Sequence, residues 1–391
     1  MNIIMIEIKK IFRPINILLV ALITLISFKI FIIPEIWMFE NSQPQIQQRD
    51  VGVMLAKKYG SIIDSNDIED LKKIRDYKEK EATEYLLRQP ESSKGNIKSY
   101  KDFYHARDTE FSDRIEYVDI ELMKEIENRA KFEDNLYLFW ELPIIESYIE
   151  GYENRESIIR IDNYKHFGNK VVSRLEEIQS SEKFTSFMSD LVIDNYEKIM
   201  FWENVIVIIS LVIMISPIFI RDNNNRVNYN QYSSKIGRGI FNKKVIAVLI
   251  STFIIVTIQL VVFFIVYKSM GTYANWNIYI NSIVSTGYSW FDLTFGQYMI
   301  MTVILLYIIS IFMSLISMHI SSRVHNYLSL IGIQVPISFL LIMFQRKFGV
   351  LSVTNVYMPK YTTLGIYISI IILTIVLYLY MIKREKVLDI K

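Results

Sequence analysis

The sequence predicts an all-α polytopic membrane protein with six transmembrane helices and a mainly helical extracellular domain inserted between helices 1 and 2. Two features of the composition support this fold class: 51% of the residues are hydrophobic, and 21% are nevertheless charged. Apolar spans explain the first number, and a sizeable water-exposed part explains the second. The third observation is the order of segments along the chain. Of six apolar runs long enough to cross a bilayer, one precedes and five follow a charged stretch, residues 34–203, that contains no such run.

Charge divides the chain at the same boundaries. Residues 34–203 contain 24 Lys and Arg against 36 Asp and Glu, a net charge of −12. The rest of the chain carries a net charge of +14, although the whole chain has only +2. An acidic domain is therefore joined to a basic membrane region. The chain has no cysteine, so we expect no disulfide, no thiolate metal site and no cysteine nucleophile.

The first predicted segment, residues 1–33, comprises an amphipathic helix and span 1. Apolar residues recur at helical spacing from Met1 to Phe12, which is typical of a helix lying in the membrane interface. Three bases before the apolar run Ile15–Ile33 place this end in the cytoplasm. That run is long for a signal peptide and no A-x-A-like cleavage site follows it, so we predict an uncleaved span.

The last predicted segment, residues 204–391, holds the other five spans. They are predicted over Val205–Ile220, Val245–Tyr267, Tyr298–Ile320, Tyr327–Phe344 and Leu364–Ile382. The flanks and loops on the predicted cytoplasmic side contain 14 bases, against four in the short exterior loops. Because bases remain on the cytoplasmic side, both termini are predicted to be cytoplasmic.

Two exterior segments connect the later spans. Residues 268–297 are rich in Tyr and Trp, which predicts a loop at the level of the lipid headgroups. Residues 345–361 contain Arg346, Lys347 and Lys360, a local exception to the charge rule. An apolar fragment, Phe348 to Leu351, lies in this segment.

The acidic domain is predicted to be mainly helical. Apolar residues recur at spacings of three and four over Asp64–Gln89, Asp113–Lys131 and Tyr164–Ile178. The periodic pattern from about Phe184 continues into span 2 without a strong breaker, so one long helix is predicted there. The eight acids between Asp108 and Glu127 suit either a solvated helix face or a surface that attracts cationic peptides.

Four residues are candidates for contact with a substrate. Phe139 and Trp140 belong to an aromatic segment, Asn135–Tyr152, that is interrupted by Pro143 and fits either a domain core or a surface for an amphipathic substrate. Gln259 in span 3 and Gln334 in span 5 are amides in apolar helices. Such an amide forms an interhelical hydrogen bond or contacts a substrate.

The loop between spans 2 and 3, residues 221–244, is the most basic short loop in the chain. Its six bases stand against a single acid, Asp222, which keeps the loop on the cytoplasmic side. Polar residues from Arg226 to Ile236, followed by Gly237, predict a short helix that a glycine ends.

This loop resembles the cytoplasmic loop of ABC-2 type export permeases. The similarity lies in the run QYSSKIGRGIFNKK, with its Tyr-Ser-Ser patch, its Gly-Arg pair and a lysine shortly before the next span. In that family the loop forms the coupling helix that docks on a separate ATPase subunit. The resemblance therefore implies a second permease half and two ATPase subunits that bind ATP and Mg²⁺. The docking contacts that it implies are Tyr229, Tyr232, Ser233, Ser234, Lys235, Gly237 and Arg238. It also implies a short re-entrant helix in the exterior segment 345–361, with which the apolar fragment Phe348 to Leu351 is compatible.

Missing motifs exclude several other classes. The chain has no G-x-x-x-x-G-K-[ST], H-E-x-x-H or G-x-S-x-G motif, and its four histidines lack metal-ligand spacing. We therefore expect no catalysis, cofactor, metal or nucleic-acid binding in this chain, and partners limited to the lipid bilayer, the transporter subunits and a peptide substrate. No Asp or Glu lies inside a predicted span away from an interface, which argues against transport driven by an ion gradient.

The predicted function is export or clearance of an amphipathic cationic peptide, such as a bacteriocin or other antimicrobial, across a bacterial cell membrane, with sodium or drug export as a variant. A Gram-positive source is expected because the arrangement of spans and domain resembles that of Gram-positive export permeases. The alternative from another class is a non-transporting receptor or immunity protein whose exterior domain captures a ligand. A membrane-embedded hydrolase lacks a nucleophile or metal constellation.

Overall fold

The computed structural model describes residues 3–42, 45–94, 97–108, 120–225, 227, 237–285, 287–349 and 354–387. Within them the chain is helical and contains no β-strand, only two isolated bridges. Six of the described helices are long and apolar enough to cross a membrane, which agrees with the prediction of a multi-pass membrane protein. These spans 1 to 6 are Pro14–Asn41, Asp190–Asn224, Gly237–Lys268, Phe295–Ser321, Tyr327–Phe348 and Thr362–Val387.

The spans form an inner group and an outer group. In span 2, 72% of the most apolar window is buried inside the protein, whereas the value is 11% in spans 1 and 5. Spans 3 and 4 are also about half buried, and span 6 is mostly exposed. Neighbouring helices therefore cover span 2 on most sides and spans 3 and 4 on about half of their surface, while spans 1, 5 and 6 present apolar faces outward, where lipid is an equally apolar neighbour.

Helix α1 and a group of helices between spans 1 and 2 complete the fold. Helix α1 is Ile3–Ile11, and Pro14 opens span 1 directly after it. The remaining helices are α2 (Gln45–Tyr59), α3 (Ser65–Arg88), α4 (Pro90–Lys94), α5 (Tyr100–Asp108), α6 (Ile120–Asn128), α7 (Leu138–Glu153) and α8 (Asn169–Ser180). We call the body that they form the inter-span domain.

Local sequence explains the best-predicted of these helices. The Asp64 carboxylate accepts hydrogen bonds from the Asn66 and Asp67 backbone N–H groups, and the Asp67 side chain accepts one from the Asp64 N–H. This capping box starts α3 one residue after the predicted start. Helix α3 ends at Arg88, one residue before the predicted end at Gln89.

Three helix predictions in the domain need correction. The predicted helix Tyr164–Ile178 is divided into a 3-10 turn, Ile161–Phe167, and α8, because Gly168 between them has a φ of 98°. The predicted break at Pro143 is absent, since α7 passes through this proline. The long helix expected from Phe184 begins only at Asp190, after a separate turn. Of the predicted helix Asp113–Lys131, residues 113–119 lie outside the described part.

The inter-span domain also includes chain from two later connections, contrary to the prediction of a loop at the headgroups. Ile283, Tyr288 and Trp290 from the connection between spans 3 and 4 are buried in the same apolar core as helices α2, α3, α7 and α8. The Ile283 N–H donates to the Ser186 carbonyl at 3.2 Å. The Trp290 N–H donates to the Thr354 carbonyl at 2.8 Å, which adds the connection between spans 5 and 6. Three separate stretches of sequence therefore build one body.

The predicted re-entrant helix is only partly described. Phe348 is the last residue of span 5, so span 5 extends four residues beyond the predicted Phe344. Leu351 lies outside the described residues.

Candidate functional site

A network of buried charges joins the two ends of the basic loop 221–244. The Asp222 carboxylate, in the last turns of span 2, accepts hydrogen bonds from the Lys10 ammonium at 2.9 and 3.2 Å. The Lys244 ammonium, in the first turns of span 3, lies 2.7 Å from the same carboxylate. Lys10 also pairs with Glu7 at 2.8 Å. The side chains of Lys244 and Asp222 are only 3% and 4% exposed, so solvent screens this ion pair very little.

A second set of hydrogen bonds ties the same place to span 1. The Arg221 guanidinium donates to the Asn16 side-chain oxygen at 2.9 Å and to the Lys10 carbonyl at 3.4 Å. The Asn16 amide donates in turn to the Ile11 carbonyl at 2.9 Å. Helix α1, the start of span 1, the end of span 2 and the start of span 3 therefore meet at one point. We call this set of contacts the inner network.

The helices that carry the residues of the inner network position their side chains. Pro217 restarts the helix of span 2 after Ser216, and Asp222 follows on its buried face. Lys244 lies over the Phe219 ring, with its ammonium 4.4 Å from the ring centre, an arrangement that adds cation–π attraction. Burial lowers the pKa of the Lys10 ammonium, but its hydrogen bonds to Glu7 and Asp222 outweigh this, so the pKa lies above the ordinary value.

No family model, curated protein or solved structure matches the chain. The geometry of the inner network nevertheless indicates a structural role. Replacing one partner of a buried ion pair leaves an uncompensated charge, which is far more costly than losing a surface pair. The four elements are thus held together as a unit at the side of the membrane where the basic loop lies.

Most of the predicted docking contacts lie outside the described residues: Tyr229, Tyr232, Ser233, Ser234 and Lys235, together with most of the predicted helix Arg226–Ile236. Gly237 and Arg238 are described. Gly237 has a φ of 53°, in the left-handed region that favours glycine, and opens the short turn with which span 3 begins. The Arg238 guanidinium donates a hydrogen bond to the Lys386 carbonyl, which connects the loop to the end of span 6.

The aromatic substrate candidates are part of the domain interior. Phe139 is 2% exposed in an apolar cluster with residues of α3, α5 and α6. The Phe139 side chain therefore packs in the core, which agrees with the core interpretation of this segment. Trp140 is half-buried, and the Lys131 ammonium lies 3.7 Å from its ring centre. The tryptophan face is therefore occupied by a cation from the same domain.

The two amide candidates form interhelical hydrogen bonds. The Gln259 amide donates to the Thr24 hydroxyl at 2.9 Å and to the Ser210 hydroxyl at 3.1 Å, which links spans 1, 2 and 3. The Gln334 side-chain oxygen accepts from the Ser216 hydroxyl at 2.5 Å, and its amide donates to the Ser317 carbonyl at 3.3 Å. Both side chains are buried, and their contacts connect helices.

Four acids of span 2 were assigned to the exterior domain by the sequence interpretation: Asp190, Asp194, Glu197 and Glu203. Glu197 and Glu203 lie nearest the apolar run. Glu203 is completely buried, and neither of its oxygens has a hydrogen-bond partner among the described residues. Glu197 accepts a hydrogen bond from the Tyr298 hydroxyl. The apolar run that predicted span 2 starts only at Val205, which is why both acids were placed outside it. Glu203 precedes Arg221 by 18 residues, roughly 27 Å of helix, which corresponds to the far edge of the hydrocarbon layer.

The sequence did not predict the inner network, although Asp222 is the single acid of its loop. This excess of bases was the available signal, because one acid among six bases attracts several of them. Its partners Lys10 and Glu7 are more than 200 residues away in sequence. No group of three or more histidine and acidic side chains suited to a metal ion occurs in the described part of the chain.

Proposed function

We propose that this chain is the membrane-spanning permease subunit of an ATP-driven exporter of the ABC-2 type, and that a separate ATPase subunit binds beneath the loop 221–244. The inner network is the observation that supports this proposal most. A loop that receives a mechanical push must pass it to the spans without yielding. The bonds of Asp222 and Arg221 tie the base of this loop to three spans and to α1.

The charge asymmetry supports the orientation of the proposed complex. The basic loop and both termini would face the cytoplasm, where ATP is available, and the acidic inter-span domain would lie outside the cell. The exposed apolar faces of spans 1, 5 and 6 leave room for a second permease half, which is part of the proposal. The functional unit would then contain two permease halves and two ATPase subunits.

Docking of the ATPase is tested with the double variant Tyr232→Ala/Arg238→Ala. We expect the tagged wild-type chain, purified from its native membranes, to carry an ATPase that hydrolyses ATP, and the double variant to lose it. Tyr77→Ala/Arg88→Ala is a matched control, because it removes the same residue types from exposed positions of the inter-span domain. Equal ATPase recovery with both variants would contradict the docking proposal.

The proposed substrate is an amphipathic cationic peptide. The net charge of −12 over residues 34–203 supports this choice, because an acidic exterior raises the local concentration of cations. Glu125 and Glu127 are less suited to bind a peptide, since they pair with Arg129 and Lys131. The acids to change are therefore Asp108, Glu110, Asp113, Glu116 and Asp119.

We expect cells that express the variant with Asn or Gln at these five positions to lose tolerance to cationic antimicrobial peptides. An equal number of neutralised acids on the exposed face of α3 is the control for total charge. Unchanged tolerance in the first variant would contradict the electrostatic part of the proposal.

A non-transporting receptor or immunity protein differs from this proposal in one measurable property. A receptor binds its peptide without ATP turnover, whereas a transporter complex in a reconstituted membrane hydrolyses ATP faster when its substrate is present. Peptide binding with no change in ATP hydrolysis would favour the receptor.

A further inference from the structure

A cavity of about 1030 Å³ lies where the inter-span domain meets the start of span 6. Its walls come from α8, from the connection between spans 3 and 4 and from the connection between spans 5 and 6. The apolar part of the wall is Phe167, Val171, Trp290, Val356, Met358 and Pro359. A volume of this size is at the upper end of the range for sites that enclose a small organic molecule.

The charged part of the wall is basic. Arg174, Lys170 and Lys360 line the cavity against one acid, Glu177. Arg174 is occupied within the protein, since its guanidinium lies 2.5 Å from Asp292 and 3.1 Å from Glu177.

Lys170 and Lys360 have no such partners. Both ammonium groups are exposed, and within the described residues neither forms an ion pair. The Lys360 ammonium lies 5.7 Å from the Phe291 ring centre and 5.8 Å from that of Tyr361, so aromatic faces surround it instead of carboxylates. Lys170 is thus a cation without an ion pair in a stretch, residues 34–203, whose net charge is −12, and Lys360 joins it from the connection between spans 5 and 6.

The cavity opens at the level where a span enters the membrane. Lys360 and Tyr361 immediately precede span 6, and the Tyr361 ring is 63% exposed, as expected for tyrosine at a membrane interface. Directly below, Leu364 and Ile368 present exposed apolar side chains on span 6. A molecule in the cavity can thus place a polar group against the lysines and an apolar chain along this span.

We propose that this cavity binds the phosphate-bearing headgroup of an anionic membrane lipid, with the acyl chains along span 6. Lys170 and Lys360 would bind the phosphate as point charges, and the aromatic and aliphatic wall would hold the glycerol backbone. The proposal also explains why the exterior segment 345–361 departs from the charge rule at Lys360. It does not depend on the proposed transport function, because binding needs neither an ATPase nor a peptide. A cationic peptide would be repelled at this place.

The test is native mass spectrometry of the full-length chain in detergent, titrated with phosphatidylglycerol and with phosphatidylcholine of the same acyl chains. We expect phosphatidylglycerol to bind at least tenfold more tightly. In the variant Lys170→Gln/Lys360→Gln we expect its affinity to fall about tenfold, equivalent to about 1.4 kcal/mol. The control variant Lys73→Gln/Lys80→Gln removes two exposed lysines of α3, and should bind like the wild type.

Two results would overturn the assignment. One is equal affinity for the two lipids, or an equal effect of the two variants, because the charge of the cavity would then contribute nothing. The other concerns the source of the phosphate. If soluble glycerol phosphate binds as tightly as phosphatidylglycerol, the apolar wall contributes nothing and the ligand is a soluble phosphate instead of a lipid. Circular dichroism of both variants checks that the fold is retained.

Discussion

Lysines at the two membrane faces of this protein are used in opposite ways. At the inner network, Lys10 and Lys244 converge on one buried carboxylate, Asp222. At the cavity beside the start of span 6, Lys170 and Lys360 stand beside an apolar wall without an ion pair among the described residues. A cation with a buried internal partner holds helices together, whereas a cation without one is available to a ligand. The pairing of a charge, rather than its presence, therefore distinguishes the two regions.

The physical reason is desolvation. A buried charge has lost its water and must be compensated by a neighbour, so the inner lysines are bound to their partners in the folded protein. An exposed lysine at the mouth of a cavity keeps its water until a ligand replaces it. The comparison predicts that substitutions in the inner network strongly reduce stability. Substitutions of Lys170 and Lys360 should affect only ligand binding.

The largest expected effect is that of Asp222→Ala. This change leaves the buried Lys244 ammonium without its carboxylate, and we expect the free energy of unfolding to fall by about 3–5 kcal/mol. SDS-induced unfolding in mixed micelles measures it. The double variant Asp222→Ala/Lys244→Met should lose less than the single variant, because the uncompensated charge is gone. A single variant as stable as the wild type would show that the network does not hold the inner face together.

The next effect is expected in the inter-span domain, where the connection between spans 3 and 4 packs on α7. A methyl group at Gly151 would lie 2.3 Å from the Ile283 side chain, so Gly151→Ala should cost about 1–3 kcal/mol by overpacking. Gly52→Ala is the matched control, since its methyl would meet only the Tyr148 hydroxyl at 3.9 Å. We expect the control to be neutral or stabilising, as is usual for Gly→Ala within a helix. Equal stability of the two variants would contradict the composite domain.

A smaller effect is expected between the two faces, at Gln259. Replacement by Leu removes hydrogen bonds to Thr24 and Ser210 but keeps an apolar side chain of similar size. Interhelical hydrogen bonds in membranes contribute about 0.6 kcal/mol on average, so we expect a loss of at most about 1.5 kcal/mol. Retained substrate stimulation of ATP hydrolysis in this variant would agree with the structural role. A loss of stimulation without a loss of stability would instead restore Gln259 as a substrate contact.

The smallest effect concerns pH. The contribution of Lys10 to stability should not change with pH near neutrality. The folded pKa of Lys10 is raised above its ordinary value of 10.5, so its contribution to stability is fully present below that pH. The contribution is lost only as the pH rises through the folded pKa. The difference in unfolding free energy between the wild type and Lys10→Gln should therefore be constant from pH 6 to 9. A difference that already shrinks by pH 9 would show that Lys10 is not held by Glu7 and Asp222.

Local signals predicted the structure where a single segment carries all the information. A run of about 20 apolar residues is typical of a membrane-spanning helix, which is why all six spans were located and nine of their twelve ends were predicted to within five residues. The end of span 1 and the starts of spans 2 and 3 lie 8, 15 and 8 residues outside the predicted bounds. The spacing of apolar residues likewise placed the start of α3 within one residue, and the capping box of Asp64 and Asp67 in the structure explains that start. Gln259 shows the limit of such signals, because its residue type was compatible with a ligand contact and with a helix contact.

Long-range contacts account for what was missed. The segment that contains Ile283 and Trp290 has the composition of an interfacial loop. Only the burial of these two residues against α7 and α8 identifies the segment as part of the domain core. Glu203 lies outside the apolar run of span 2, yet the helix extends past it and buries it. Neighbouring residues in the sequence contain no information about either partner surface.

The amino-acid sequence by itself determined that this is a helical protein with six membrane spans, and that its charges are divided between an acidic domain and a basic membrane region. Hydropathy and formal charge are properties of each residue and do not depend on distant partners. Only the tertiary structure decided which charges are paired. Asp222 pairs with Lys10 across more than 200 residues, whereas Lys170 and Lys360 line one cavity and neither forms an ion pair among the described residues, because pairing depends on distances that folding sets.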